Sequence, residues 1–510
     1  MNKQSRYRAL ALGCLAALAL GCDERSASPA DQPKSPPPPA DVELASLAAT
    51  QMPRPTPPGC QDPTCAHSLK LNGPIPLQVT PRGGVQPVTT SAHGDVFVAQ
   101  QALTTNEATI NATAGFKMAE SASAAMQGSD GTWQTAVFSN VMTNAGSQPR
   151  IDYGCVRNSS TLCDFDIGFS GVGSDPSAVA GGSYMYHTRL WGTSPGQAWL
   201  RSTNPCPNNY ASPSWEGCLA GNPADWTQAV KADNSSVWTV YNDFVTGGDG
   251  FNGVTINKLN FCSNVTWWKF SQQCGKVNVN RRNPHGAVGG NGIIHVVWAN
   301  VSGGQIEYTQ FNTNTGLWNC TPTNVAPFAQ PPQSCNSDGN NRIFTKLGSL
   351  NLEATPAPRI ARDPSSGTLV VAWDSYDAGV QKTRGRAFRS TNGGSSWDPG
   401  FITAEETAHT TVTVGPGARF EIGDTYNSTE NKGAQVSWRS TDGGSVWGGF
   451  YISGDRTLAP ATPTHPTRPC HWGDYDGVTY NPNQDAYYHS WVDTNIGTDS
   501  VIRGRFIANQ

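Results

Sequence analysis

The sequence has few charged residues and few long apolar runs, and each shortage excludes a class of protein. Charged residues make up 14% of the 510 residues and the formal net charge is −4, so nothing favours binding to a nucleic acid backbone. Beyond the N-terminal segment, no apolar run approaches the roughly 18 residues of a membrane-spanning helix. We therefore expect no nucleic acid partner and no further membrane span.

Metal-ligating patterns are also scarce. No spacing of cysteine and histidine is typical of a zinc or haem site, so we expect no cofactor. The segment Asn336-Ser337-Asp338-Gly339-Asn340 has oxygen ligands at alternate positions, as in a calcium loop, but lacks the closing glutamate. A structural calcium ion there stays an open alternative.

Residues 1–21 have the pattern of an export signal. Basic residues precede the apolar segment Ala9–Leu20, which is too short to span a bilayer as a folded helix. The segment ends in Ala19-Leu20-Gly21-Cys22, which resembles a bacterial lipoprotein cleavage box and implies lipidation of Cys22. The alternative is an ordinary secretory signal with an incidental cysteine. Both predict an exported protein, either anchored in the cell envelope or secreted.

Residues 22–58 are predicted to form a disordered tether, and residues 59–510 the folded domain. The tether contains the run Pro36–Pro39 and four further prolines between residues 53 and 58, a composition that cannot bury a core. Outside the signal, ten cysteines form five couples close in sequence, and local pairing is the simplest expectation for an oxidising compartment. The couples are Cys60/Cys65, Cys155/Cys163, Cys206/Cys218, Cys262/Cys274 and Cys320/Cys335, which leaves Cys470 unpaired.

The domain is predicted to be all-β. Short β-branched and aromatic runs alternate with glycine, asparagine, aspartate and proline, which is typical of many short antiparallel strands. The clearest repeat unit begins at Pro358, continues through a turn to Leu369–Asp374, and ends at the glycine-rich turn Ser390–Trp397. With an outer strand added, this is one four-stranded propeller blade.

Seven such openings predict a seven-bladed β-propeller, with six blades as the alternative because the first two openings are the weakest. We expect residues around 70–85 to close the ring by joining the last blade, which ends near Phe506. The openings lie near Pro87, Pro149, Asp225, Pro284, Pro358, His409 and Trp472.

One glycine-rich turn carries a family signature. Ser440-Thr441-Asp442-Gly443-Gly444-Ser445-Val446-Trp447 matches the Asp-box (BNR repeat) pattern S-x-D-x-G-x-x-W, and Ser390–Trp397 matches it with Asn392 in place of the aspartate. Asn314–Trp318 and Ser129–Trp133 look like decayed copies. The domain thus resembles the sialidase-like β-propeller class, which implies a glycan ligand at one end of the central channel. The arginine motif and nucleophile pair of those sialidases have no clear counterpart here.

The repeat predicts which side chains meet at the channel mouth, because the innermost strands of a propeller begin there. We expect acid–base candidates among Asp152, Asp474, Tyr475, His285 and His409. Ligand-binding candidates are Arg150, Arg359, Asp225, Trp226 and His471.

Two functions stay open at this point. The protein is either an exported monomeric glycoside hydrolase or polysaccharide lyase, or a non-catalytic propeller that binds a glycan or a protein at the cell surface. Paired carboxylates near one ligand favour hydrolysis, and a histidine–tyrosine couple favours a lyase. Fold alone does not decide between them.

Overall fold

In the structure, a computed structural model, the short alternating runs of the sequence form strands. The structure describes residues 66–508 except 88–107, 144–149, 244–252, 330–343, 458–475 and gaps of at most five residues elsewhere. Lipidation of Cys22, the tether, Cys60, Cys65, Cys470 and the calcium candidate at 336–340 therefore lie outside the described residues. Of the described segments, none is a helix with the length and hydrophobicity needed to cross a bilayer.

The described strands follow one another along the chain, and one short helix lies among the described residues. Four precede the first blade: β1 (Ala66–Lys70), β2 (Ile75–Pro81), β3 (Gln86–Pro87) and β4 (Ala108–Asn111). The first three blades contain β5 (Phe116–Gln127), β6 (Trp133–Thr143), β7 (Arg150–Arg157), β8 (Thr161–Gly168), β9 (Gly173–Gly181), β10 (Tyr184–Trp191), β11 (Gly196–Ser202), β12 (Trp215–Ala220), β13 (Ala224–Ala232), β14 (Ser236–Asp243), β15 (Gly253–Asn260) and β16 (Asn264–Lys269), followed by α1 (Phe270–Cys274).

The remaining strands form blades four to seven and one separate hairpin. They are β17 (Arg281–Val288), β18 (Ile293–Asn300), β19 (Gln305–Asn312), β20 (Leu317–Trp318), β21 (Thr323–Pro327), β22 (Phe344–Leu347), β23 (Leu350–Glu353), β24 (Arg359–Arg362), β25 (Leu369–Asp377), β26 (Lys382–Ser390), β27 (Asp398–Ile402), β28 (Thr407–Gly415), β29 (Arg419–Thr429), β30 (Lys432–Ser440), β31 (Gly448–Tyr451), β32 (Arg456–Thr457), β33 (Gly477–Asn481), β34 (Ala486–Ile496) and β35 (Asp499–Ala508).

These strands build a seven-bladed β-propeller, so the predicted fold class and blade number are confirmed. The blades are antiparallel sheets of consecutive strands: blade 1 is β5–β8, blade 2 β9–β12, blade 3 β13–β16, blade 4 β17–β21, blade 5 β24–β27, blade 6 β28–β32 and blade 7 β33–β35 with β4. The hairpin β22–β23 lies in sequence between blades 4 and 5.

The ring closes through a strand that the sequence analysis did not select. β4 pairs with β35 and completes blade 7. The segment expected to do this, around residues 70–85, is instead a belt on the outside of the ring: β1 pairs with the outer strand β16 of blade 3, and β2 bridges the outer strands β8 and β12. The prediction was wrong because the outer strands of blades 1–3 also offer free edges to an N-terminal strand.

The blade openings predicted near Pro87 and Pro149 are also wrong. Pro87 lies at the end of β3, which pairs with the outer strand β8, and Pro149 directly precedes β7, the third strand of blade 1. Blades 1 and 2 begin instead with β5 and β9. Ser129–Trp133 is consequently the turn between the first and second strands of blade 1, not a copy of the outer turn found in blades 5 and 6.

The glycine-rich turn after β30 has the hydrogen bonds that its sequence predicts. The Oδ1 atom of Asp442 accepts backbone N–H bonds from Ser445 and Val446, and the N–H of Gly444 donates to the Ser440 hydroxyl. Gly443 and Gly444 have φ angles of 76° and 82°, which glycine adopts at little cost. The turn is therefore held by its own side chains.

Turns between the third and fourth strands lie against the preceding blade. In blade 5, the carbonyl of Gly393 accepts a 2.9 Å hydrogen bond from the Tyr308 hydroxyl of blade 4. In blade 4, Trp318 Nε1 donates to the carbonyl of Trp268 in blade 3, and Gln273 donates to Gly316. These turns thus fasten one blade to the next.

The disulfides follow the same geometry, and four of the five predicted couples of sequence neighbours are wrong, while Cys60/Cys65 lies outside the described residues. Cys155 in blade 1 is bonded to Cys206 in blade 2, Cys218 in blade 2 to Cys262 in blade 3, and Cys274 in α1 to Cys320 in blade 4. Cys206 and Cys262 each lie just after a third strand, and Cys320 lies just after β20, which follows the third strand of blade 4. The side chains of Cys163 and Cys335 lie outside the described residues.

The core consists of apolar layers between neighbouring blades rather than one central cluster. Large aromatic residues of the second strands are buried in these layers: Trp298 on β18, Trp373 on β25 and Trp491 on β34. Neighbouring blades thus cover the apolar side chains of each other around the ring.

Candidate functional site

The first strands of the seven blades form the wall of a central channel. β5, β9, β13, β17, β24, β28 and β33 contact one another in this order, and β33 contacts β5 again. They enclose a cavity of about 710 Å³. Its described lining comes almost entirely from these strands, so each blade contributes a few side chains to one shared space.

Within the described residues, five of the seven first strands carry a bulge near their start. At each bulge a residue other than glycine has a positive φ angle, between 52° and 63°, and the pairing with the second strand shifts. Bulges of this kind re-aim the following side chains, and left-handed residues cost about 1–3 kcal/mol each. The five residues are Glu120, Asp175, Trp226, Asn283 and His409.

One polar residue from each blade lines the cavity, and in the five bulged strands this residue lies one or two positions after the bulge residue. These residues provide hydroxyl, amide, imidazole, guanidinium and carboxylate groups, so most hydrogen-bonding chemistries are present in one ring. From blade 1 to blade 7 they are Ser121, Ser177, Gln228, His285, Arg359, Thr411 and Asp476.

Arg359 is a central member of this ring. Its side chain is buried, and Nη1 donates a 2.7 Å hydrogen bond to Oε1 of Gln228. The guanidinium lies over the ring of Trp226, 5.1 Å from its centre, in a cation–π arrangement. Blades 3 and 5 thereby fix the guanidinium plane beside the cavity.

His285, between these two blades, is held by the backbone. The N–H of Ile360 donates to His285 Nδ1 at 3.2 Å. Burial, and secondly the charge of Arg359, hold the pKa of His285 well below its usual value. The imidazole is therefore neutral at physiological pH.

A second group of titratable residues lies where blades 5, 6 and 7 meet. His409 Nδ1 is 3.5 Å from Asp476 Oδ2, and both side chains are almost fully buried. The carboxylate of Asp374 accepts hydrogen bonds from the backbone N–H and the hydroxyl of Thr410, at 3.1 and 2.5 Å. Burial raises the pKa of Asp374 despite these bonds.

The structure brings together only some of the predicted site residues. His285 and Arg359 line the cavity, Trp226 lies beneath Arg359, and His409 contacts Asp476 at the cavity wall. Asp225 is on β13 beside Trp226, and its side chain is outside the described part. His471, Asp474 and Tyr475 lie outside the described residues.

Arg150 and Asp152 do not begin a first strand. Both lie on β7, the third strand of blade 1, where Asp152 pairs with Ser139 and Asp166 on the neighbouring strands. The prediction that they belong to the channel ring is wrong, because it followed from the misplaced blade opening at Pro149.

The corresponding first-strand residues in blades 1 and 2 were missed. They are Glu120 with Ser121 and Asp175 with Ser177. In blade 2 the sequence does indicate the channel-lining residue, because Pro176 directly precedes Ser177. Pro284 and Pro358 precede His285 and Arg359 in the same way. For blade 1 the alanine-rich sequence of β5 gives no such signal.

No group of three histidine, cysteine or acidic side chains in the described part is placed to hold a metal ion. No protein-family model matches the sequence. No curated protein matches it either.

Several solved structures have a similar fold at low sequence identity. A protein of unknown function from Dyadobacter fermentans is 11% identical, with a TM-score of 0.43, covering 81% of this chain and 99% of that one. The phage phi92 endosialidase is 9% identical, with a TM-score of 0.42, covering 79% and 69%. The Hadza microbial sialidase Hz136 is 10% identical, with a TM-score of 0.37, covering 73% and 76%. Similarities at this level carry no argument about function.

Proposed function

We propose that the protein is an exported glycan-binding propeller whose site is the ring of polar side chains at the start of the first strands. The observation that carries this proposal is the convergence of Gln228, His285 and Arg359 from three consecutive blades on one cavity. Planar amide, imidazole and guanidinium groups match the closely spaced hydroxyl and ring oxygens of sugars, which need several fixed donors and acceptors.

The internal hydrogen bonds of the ring also support binding. Arg359 is fixed by Gln228 and by the face of Trp226, so little side-chain freedom remains to be lost when a ligand binds. Polar groups that are fixed in this way bind a ligand in one orientation and thereby make the binding specific.

Export is supported by the disulfides among the described cysteines. Three such bonds are typical of proteins that fold in oxidising compartments. Anchoring through a lipid on Cys22 is part of this proposal, and mass spectrometry of the mature N-terminus tests it.

The binding test uses the purified protein and a panel of soluble polysaccharides: polygalacturonate, polysialic acid, chondroitin sulfate, xylan and arabinan. Calorimetry should detect binding of at least one. Arg359→Leu should weaken that binding at least about tenfold, since hydrogen bonds from a charged donor contribute about 1.5–3 kcal/mol.

The matched control is Ser445→Ala, in an exposed turn at the outside of blade 6, which should leave affinity unchanged. Loss of binding by both variants would indicate a folding defect. If no polysaccharide of the panel binds, or if Arg359→Leu binds like the wild type, the proposed site is refuted.

One observation favours a second candidate, a glycan-cleaving enzyme. Asp374, with its raised pKa, lies one hydrogen bond from Thr410, next to the His409–Asp476 pair at the cavity wall. A raised pKa is a property of the carboxyl groups that act as general acids. Reducing ends or unsaturated products released from the same panel would establish cleavage, and Asp374→Asn should then abolish it.

A further inference from the structure

The hydrogen bond from the backbone of Ile360 determines which nitrogen of His285 carries the proton. A backbone N–H always donates, so Nδ1 of His285 must accept with its lone pair. The single proton of a neutral imidazole is then on Nε2. Protonation of Nδ1 would place two N–H groups against each other and break this bond.

The Nε2 atom is the part of His285 that remains available. Among the described residues, none accepts a hydrogen bond from it, and the half-buried side chain lines the cavity. An N–H group in such a position is satisfied by water or by a ligand atom that accepts a hydrogen bond.

The surroundings also disfavour a positively charged imidazole. One carboxylate is described on the strands packed against β17, that of Asp243 on β14, and it is ion-paired with Lys269. The other titratable or charged side chains described on these strands are Lys231 on β13, Tyr241 on β14, Lys258 on β15, His295 on β18, and Arg359 and Arg362 on β24. The side chain of Asp225, also on β13, lies outside the described part. A second positive charge beside Arg359 would be repelled, and the carboxylate of Asp243 is already paired with Lys269.

We infer that His285 is a neutral, fixed hydrogen-bond donor that binds an acceptor oxygen of the ligand through Nε2, and not a proton-abstracting base. This inference rests on the proposed glycan site and specifies one contact within it. It also requires that the contribution of His285 to ligand affinity does not change between pH 5 and pH 8, although free histidine titrates in this range.

The first test needs no ligand. Nitrogen-15 NMR of histidine-labelled protein, with the His285 signals assigned by comparison with His285→Gln, reports the tautomer and its titration. The expected result is an Nε2–H tautomer that persists from pH 8 to pH 5. An Nδ1–H tautomer, or titration near pH 6.5, would overturn the inference.

The second test uses the polysaccharide of the panel that the wild type binds most tightly. His285→Leu removes the donor at similar volume and should weaken binding about 2- to 10-fold, the range for one neutral hydrogen bond. His285→Gln, which offers an amide N–H, should recover part of the loss. Circular dichroism of both variants shows whether they are folded.

The outcomes of the two tests separate the inference from the function on which it rests. Unchanged affinity of a folded His285→Leu refutes the ligand contact even if glycan binding is established. Absence of binding by the wild type refutes the glycan function, while the NMR spectrum still decides whether His285 is a neutral donor.

Discussion

Replacing Cys218 and Cys262 together by serine should destabilise the propeller substantially, because their disulfide joins blade 2 to blade 3. Replacing both cysteines leaves neither position 218 nor position 262 with a thiol that could form a new pair. In the loop-entropy description, a cross-link that closes a loop of 44 residues restricts the unfolded chain by about 4 kcal/mol at 25 °C.

The magnitude depends on which cysteines are paired. A bond between the sequence neighbours Cys206 and Cys218 would close a loop of roughly a dozen residues and contribute only about 3 kcal/mol. The disulfide also links two blades whose outer strands pair with consecutive N-terminal strands: β1 pairs with β16 of blade 3, and β2 pairs with β12 of blade 2. From the usual unfolding entropy per residue, 4 kcal/mol corresponds to about 4 °C in the melting temperature of a domain of this size.

Two measurements check this prediction. Digestion of the unreduced protein followed by mass spectrometry should yield a peptide pair that joins the segments around Cys218 and Cys262. Calorimetry of the double variant should show the lower melting temperature. A peptide that joins Cys206 to Cys218 would refute the pairing, and an unchanged melting temperature would refute the stabilising role of the link.

Two further predictions concern the seams between other blades. Burial alone would raise the pKa of Glu421, but the hydrogen bond from His489 and the charge of Arg439 lower it. Glu421 therefore contributes stability above its unfolded pKa of about 4.3 that is lost as the pH falls through the folded value. Glu421→Gln should cost about 3–5 kcal/mol in urea unfolding at pH 7 and much less at pH 3; equal costs at both pH values would contradict this account. Gly394→Ala should destabilise far more than the matched Gly393→Ala, because only the Cβ at 394 would overlap an aromatic ring of blade 4. Urea midpoints that shift equally would show that backbone strain, common to both glycines, is the whole effect.

The blades that the sequence located correctly are those whose start has a local signal. Pro284 lies at the bulge of β17 and Pro358 directly precedes β24, since proline interrupts a ladder of backbone hydrogen bonds. The alternating apolar residues after each proline identify a strand. His285 and Arg359 were consequently placed at the channel. Asp152 was misplaced because Pro149 gives the same local signal in front of a third strand.

The sequence by itself determined the repeating strand–turn unit and the turn around Asp442, because each depends on contacts between residues close in the chain. The predicted blade number is correct, although two of the seven openings from which it was counted were misplaced. Tertiary structure alone decided three other features: the closure by β4, the pairing of Cys155 with Cys206, and the first strands of blades 1 and 2. Each of these is a contact between segments that are distant in sequence. Several partners satisfy the same local pattern, and only closure of the ring brings one of them within bonding distance.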